Sequence, residues 1–292
     1  MKKNETFLAY LFILPAALVI IVFHIFPTVY SWYVSLFNWD LISPAGEFVG
    51  LGNYKKLFAD ADFWKALLNT LYFALGTIPL SIACSFAVAY GLSRRIRGLS
   101  FFRTVYFLPV VTSVNAVAMI WLWIYHPDAG ILNWFLGIFG VAPHKWLLDP
   151  DWAMPAVILM SVWKSLGYNI IIFLVAILSI PREYYEAAGI DGASGFSLFR
   201  HITLPLVMPA IFFVSLVSLI GSFQTFTQIY MLTPDGGPLK STMVIVYYLY
   251  QNAFVFFKAG YASAISFVIF VIIFTLTLLQ NKYWGEKIDY EN

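Results

Sequence analysis

Few side chains in this sequence sit where they could do chemistry. Lys164 is the only charged residue deep inside a long apolar run, and an ionisable group there marks a candidate site. The alternative is a lysine that snorkels or bonds backbone carbonyls and so steadies its own helix. Polar side chains recur near it at helical spacing. Ser161, Ser165 and Tyr168 are separated by four and three residues, and so are Ser218, Ser222 and Thr225, which puts each set on one helical face. A polar stripe within a span faces protein or a water-filled cavity rather than lipid. Its hydroxyls suit a neutral polyol, or they bond across helices at about 0.6 kcal/mol apiece. Gln224 lies about 100° off the second stripe. The four histidines (His24, His126, His144 and His201) are scattered, and the single cysteine, Cys84, excludes an internal disulfide or a CxxC pair. Cys84 reads as a small core residue. Neither HExxH nor a Gly-x-x-x-x-Gly-Lys-Ser/Thr phosphate loop occurs, so no metal or nucleotide cofactor is expected on this chain.

The elements that hold these residues follow from composition. Of 292 residues, 61% are hydrophobic and 11% charged, with a mean hydropathy of +0.80. A soluble domain carries about 45–50% apolar and about 25% charged residues. No Asp, Glu, Lys or Arg occurs in 6–39, 66–93, 104–127, 201–234 or 259–281. Each run exceeds the roughly 20 residues that cross a bilayer, so the chain is an all-α polytopic membrane protein. Six transmembrane helices are expected, at about 7–36, 64–93, 103–126, 153–180, 205–231 and 259–281. The first is too long for the roughly 7–15-residue apolar core of a signal peptide and reads as an uncleaved span. The stretch 241–257 is also uncharged, but Tyr247, Tyr248, Tyr250, Gln251 and Asn252 mark it as an interfacial aromatic helix.

Basic residues orient this set. With the N-terminus in the cytoplasm, inside segments hold ten Lys and Arg and outside segments six, so both termini are expected on the cytoplasmic side. The inside loop Ser93–Arg103 is short and basic. The outside loops, 37–63, 127–152 and 232–258, carry turns such as Ser43-Pro44-Ala45-Gly46 and Pro234-Asp235-Gly236-Gly237-Pro238. The sequence reads as one membrane domain over 1–292, with its core at about 64–281.

The inside loop 181–205 differs from the rest. It reads as two short helices joined at Asp191-Gly192, with Pro181 at a first helical position, Ser194 capping the second piece, and Glu186 able to pair with Arg182. Ala187 and Ala188 leave one face small enough for close approach by another protein.

Here the sequence resembles a family. Glu186-Ala187-Ala188, two residues, Asp191-Gly192-Ala193, eight residues, Ile202, one residue, and Leu204-Pro205 match the EAA loop of ABC importer permeases. Phe48-Val49-Gly50-Leu51-Gly52-Asn53-Tyr54, Ser161-Val162-Trp163-Lys164 and Gly221-Ser222-Phe223-Gln224 extend the likeness along nearly the whole chain. They narrow it to the carbohydrate branch, the maltose- and glycerol-phosphate-type permeases, and to the first of two unlike permeases. The extra residue in Thr233-Pro234-Asp235-Gly236 departs from many relatives.

The resemblance implies a type I importer permease (MetI-like) fold in a bacterial cytoplasmic membrane. It implies a second unlike permease, two ABC ATPase subunits that bind the ATP and Mg, an extracytoplasmic solute-binding protein and a carbohydrate substrate, with glycerol 3-phosphate or a glycerophosphodiester as the alternative; no nucleic acid is involved. Glu186, Ala187, Ala188, Asp191, Gly192 and Ala193 would contact the ATPase. Substrate would pass Ser161, Lys164, Ser165, Tyr168, Ser218, Gly221, Ser222 and Thr225. A membrane-embedded enzyme would need converging intramembrane carboxylates or histidines, and an ion-coupled transporter would show internal repeats and intramembrane acids. The sequence offers neither. An ABC exporter normally carries a fused ATPase, and the EAA loop argues against it.

Overall fold

The computed structural model of the protein describes residues 3–40, 42–43, 46–93 and 99–284. Residues 94–98 of the basic loop 93–103, Pro44 and Ala45 of the first outside turn, and the tail beyond Trp284 lie outside the described residues.

The chain starts with α1 (Lys3–Ile20) and α2 (Phe26–Val34), joined without a break through a π-helical turn at Ile21–Ile25. Pro27 has no N–H, and its ring crowds the preceding turn. The helix takes up one extra residue just before it, so that the Phe26 N–H reaches the Ile21 carbonyl. A two-residue antiparallel ribbon follows, β1 (Phe37–Asn38) paired with β2 (Glu47–Phe48), then α3 (Gly52–Ala59) and α4 (Ala61–Leu92). Next come α5 (Leu99–Val111), α6 (Val114–Ile124), α7 (Ile131–Ile138), α8 (Pro150–Leu178) and α9 (Arg182–Ile190). A further π turn, Phe199–Thr203, links α10 (Phe196–Leu198) to α11 (Leu204–Phe223) ahead of Pro205. The chain ends with α12 (Thr227–Leu232), α13 (Ile245–Tyr250) and α14 (Ala259–Tyr283).

Among the described residues, five helical stretches are long and apolar enough to cross a membrane: Tyr10–Val34, Ala61–Leu92, Pro150–Leu178, Phe196–Phe223 and Ala259–Tyr283. The sixth expected span is not one straight helix. Thr104–Val111 and Val114–Ile124 meet at 111°, and they make a sixth span only if taken together. Ser113 is extended (φ −60°, ψ 147°), and its Oγ accepts the Ala116 N–H at 3.3 Å, so it ends one helix and caps the next. The expected helix 205–231 is also shorter than its apolar run. It stops at Phe223, and Phe226 (φ −142°, ψ −57°) separates it from α12. The stretch 241–257 holds only the six-residue α13 and a π turn, too short to span.

The backbone divides into two compact units. The first holds the described residues up to Trp64 together with Tyr248–Ile272. Beside buried apolar side chains such as Leu57, Phe63 and Ile265 it holds a buried polar cluster. The Asn53 amide donates to the Ser35 and Phe37 carbonyls, each at 2.8 Å, and the Gly260 N–H to the Trp39 carbonyl at 3.0 Å. A Cβ on Gly260 would strike the Phe37 carbonyl oxygen, so only glycine permits this approach. Asp60 accepts the Tyr248 and Tyr261 hydroxyls on one carboxylate oxygen, Tyr261 at 2.6 Å, and the Asp62 N–H on the other at 2.9 Å. Burial pushes the Asp60 carboxyl up, but these donors outweigh it and hold its pKa below the ordinary value. Burial and the Asp60 bond raise the Tyr248 phenol to about 12.

The second unit holds Lys65–Tyr247 and the described residues from Ile273 on. Here α8 packs against α5 and α11, and α12 packs against α6. A core of Phe86, Ile170, Phe173, Leu174, Ile177 and Val207 joins α4, α8 and α11, with Phe86 and Phe173 edge to face at 5.5 Å. Helices in lipid associate by close packing rather than by hydrophobic burial, and small residues set how near they come. Gly167 of α8 does this, because a Cβ there would strike the Tyr106 carbonyl of α5. Gly91, by contrast, faces open space. Gly167→Ala should therefore lower unfolding stability by roughly 1–3 kcal/mol, the cost of overpacking. Gly91→Ala should be neutral in the same assay; equal melting of the two variants would refute the contact.

Candidate functional site

The polar residues of the spans occupy unlike environments. Lys164, half-buried on α8, donates its Nζ to the carbonyls of Pro109 and Thr112, each at 2.9 Å. These are carbonyls at the C-terminal end of α5, where the 111° break leaves them without intrahelical donors. The Thr112 hydroxyl donates to the Leu108 carbonyl at 2.9 Å. A cation also suits the negative end of a helix dipole. The carbonyl bonding that the sequence allowed for Lys164 is thus present.

Ser161 is buried, and among the described residues neither its Oγ nor the amide nitrogen of the buried Asn169 has a partner. The half-buried Ser165 bonds its own helix through the Val162 carbonyl, and Tyr168 is 46% exposed. On α11, Ser222 is buried and donates to the Ser218 carbonyl at 2.7 Å, while Gly221 is exposed, with open space where a Cβ would stand. Thr225 needs a correction. The helix stops at Phe223, so Thr225 does not share a face with Ser218 and Ser222; it is buried, and its hydroxyl donates to Gln228 Oε1 at 3.0 Å. Packing of α8 on α11 puts the two sets on neighbouring helices. Cys84 also departs from expectation: it is exposed on α4 rather than buried in the core.

The loop after α8 has the two-piece form expected, with shifted caps. Pro181 (φ −59°, ψ 138°) is the cap itself, and α9 begins at Arg182. Gly192 follows the helix at φ +82°, and the Ala193 N–H closes back onto the Ala188 carbonyl at 2.9 Å. Such a left-handed position is the usual place for glycine after a helix. Gly195 (φ 50°), not Ser194, caps the second piece. No residue of α9 is buried, and Ile190 is 88% exposed. Among the described residues no ion pair joins Glu186 to Arg182. A tie without a sequence signal runs from Tyr185 Oη to Thr203 Oγ1 at 3.0 Å and fastens α9 to the turn that starts α11. Neither residue belongs to the motif.

The turn after α12 is held from α4. Lys65 Nζ donates to the Leu239 carbonyl at 2.6 Å, and the Asn69 amide to the Lys240 and Met243 carbonyls at 2.9 and 3.0 Å. Among the described residues no group of His, Cys, Asp and Glu is placed to hold a metal ion.

Residues 77–283 match the family model described as binding-protein-dependent transport system inner membrane component. The chain is 38% identical over 288 residues to the probable ABC transporter permease protein YurN of Bacillus subtilis (strain 168), covering 97% of this chain and 98% of that one. It is 36% identical over 285 residues to the lactose transport system permease protein LacF of Rhizobium radiobacter, at 96% and 95% coverage. In fold it resembles a chain of a bacterial alginate ABC transporter crystallised with an alginate pentasaccharide-bound periplasmic protein. The TM-score there is 0.86 at 22% identity, over 98% of this chain and 96% of that chain.

The Lys164 geometry predicts that Lys164→Met loses about 1–3 kcal/mol for each carbonyl left unpaired. Lys164→Arg should recover most of this in thermal unfolding. A methionine variant as stable as the parent would rule out the capping role.

Proposed function

The chain belongs to the family of binding-protein-dependent transport system inner membrane components, and from that premise we propose that it is the first of two unlike permeases in an ATP-driven importer of a sugar or oligosaccharide. Its partners are a second permease, two ABC ATPase subunits that bind ATP and Mg, and an extracytoplasmic solute-binding protein. It lies as a multi-pass protein in a bacterial cytoplasmic membrane with both termini inside, as the ten-to-six basic asymmetry favours. The chain itself performs no bond chemistry. It converts closing and opening of the ATPases into alternating access.

The observation that carries this reading is α9, a helix with no fully buried residue that exposes Tyr184 and Ile190, 54% and 88% accessible. Glu186, Ala187, Ala188, Asp191, Gly192 and Ala193 form the face and the turn that seat on an ATPase subunit. The Tyr185–Thr203 tie passes a push on that face to α11.

The substrate path runs along α8 and α11, past Ser161, Lys164, Ser165, Tyr168, Ser218, Gly221, Ser222 and Thr225. Exposed Tyr168 and Gly221 are its most accessible members, and Thr225 joins by its place beyond the helix end rather than on the stripe. The named relative LacF supports a sugar. So does Lys164, whose ammonium is already engaged by two carbonyls. What remains along the path is hydroxyls and an aromatic ring, which suit a neutral polyol better than a phosphate.

Gly192→Trp places a bulky side chain at φ +82° on the seating face. It should leave membrane insertion and assembly intact and remove the stimulation of ATP hydrolysis by loaded binding protein; undiminished stimulation would defeat the coupling assignment. Tyr168→Leu should reduce sugar uptake about tenfold, the worth of one well-placed polar contact, with assembly unchanged. Uptake at the parental rate would remove Tyr168 from the path and leave the permease reading in place.

A further inference from the structure

The first unit contains a cavity of about 360 Å³ lined by Lys56, Lys258, Asn38, Trp39, Asn252 and the clasped Asp60. Its place along the chain fixes its depth. Asp60 immediately precedes the apolar helix α4, and Lys258 immediately precedes α14. Both spans begin there, so the cavity lies where hydrocarbon gives way to water, the level of lipid headgroups and of aromatic belts.

The charges of the cavity are unequally satisfied. The Asp60 carboxylate is engaged by two tyrosine hydroxyls and the Asp62 N–H. Neither lysine has such a partner: among the described residues no carboxylate lies within 4.0 Å of either ammonium. The Lys258 ammonium stands 5.7 Å from the centre of the Phe256 ring. The chain is strained to put Lys258 there. Phe257 takes a left-handed backbone at φ 55°, unfavourable for a bulky residue, and the Lys258 N–H is pinned to the Asn252 carbonyl at 2.8 Å. Strain of this kind persists only where the surroundings over-determine it, and here it sets a cation at a cavity already holding another.

We propose that this cavity binds phosphate oxygens, with Lys56 and Lys258 as the charged ligands and Asn38 as a neutral donor, and that the headgroup of an anionic phospholipid such as phosphatidylglycerol supplies them. Two ammoniums without a carboxylate partner, beside the Asn38 amide at headgroup depth, match a phosphodiester monoanion. The proposal needs only the membrane location of the chain and is independent of which solute is transported.

The test uses the full chain, purified with the subunits that accompany it, delipidated, and reconstituted in nanodiscs of phosphatidylcholine with a minor fraction of phosphatidylglycerol. Retained lipid is counted by native mass spectrometry. The parent should retain phosphatidylglycerol selectively. Lys56→Gln or Lys258→Gln should weaken retention about fivefold each, and the pair about thirtyfold. The Lys56→Arg, Lys258→Arg pair, which keeps both charges, should bind like the parent, and Lys55→Gln, outside the cavity, should change nothing. Inorganic phosphate is added in a second arm. Retention that survives it assigns the headgroup as the source; displacement with the same lysine dependence supports the site and assigns free phosphate. A double glutamine variant that holds phosphatidylglycerol as the parent does would overturn the proposal. So would a parent that neither prefers that lipid nor binds inorganic phosphate.

Discussion

The contact on which the second unit most depends is the pair of hydrogen bonds from Lys164 to the Pro109 and Thr112 carbonyls. In hydrocarbon no water stands ready to accept a broken backbone, so every kink in a span must be satisfied from inside the protein. The 111° bend between α5 and α6 frees a turn of carbonyls, and one ammonium with three donors answers two of them. Gly167, one turn along the same helix, lets α5 approach closely enough for the lysine to reach. The Lys164 charge is thereby the condition for a bend.

Much of the architecture was legible because apolar length is a strong signal. Four of the five straight spans follow from uncharged runs and the fifth, α8, from the apolar flanks of Lys164, while the tyrosines of 241–257 set it apart from the spans. The breaks were less visible. Ser113 lies within an uninterrupted apolar run, yet it acts as a cap once the chain turns there. Gln224 and Phe226 end α11 with no proline or glycine at the break itself to announce it. Hydropathy measures what lipid tolerates, and lipid tolerates a break wherever neighbouring segments supply the missing bonds. For the same reason Thr225 was placed on a helical face that stops short of it.

The candidate site divides along the same line. The EAA-type loop could be recognised from local order, because its turn chemistry, Gly192 above all, resides in adjacent residues. The tie that fastens it is not local, since Tyr185 meets Thr203 across 18 residues. In the first unit Asp60 likewise meets Tyr248 and Tyr261 across 188 and 201 residues. No spacing rule reaches so far, and tyrosine in a membrane protein is read first as an interfacial residue. Cys84 shows the converse: a small side chain expected in the core lies on the surface of α4, because a helix surface in lipid has no reason to exclude it.

The first helix has a thermodynamic consequence. In Tyr10–Val34 the most apolar stretch buries none of its residues within the chain. Over most of its length its rotation about its own axis is therefore set by hydrophobic length, and only near its end by contacts such as Trp32 with Phe267 at 6.4 Å. A subunit built this way is an open shell. Part of the free energy that defines its native geometry resides in surfaces it does not own, so unfolding of the isolated chain reports the remaining bundle and is blind to the helix that meets the membrane first.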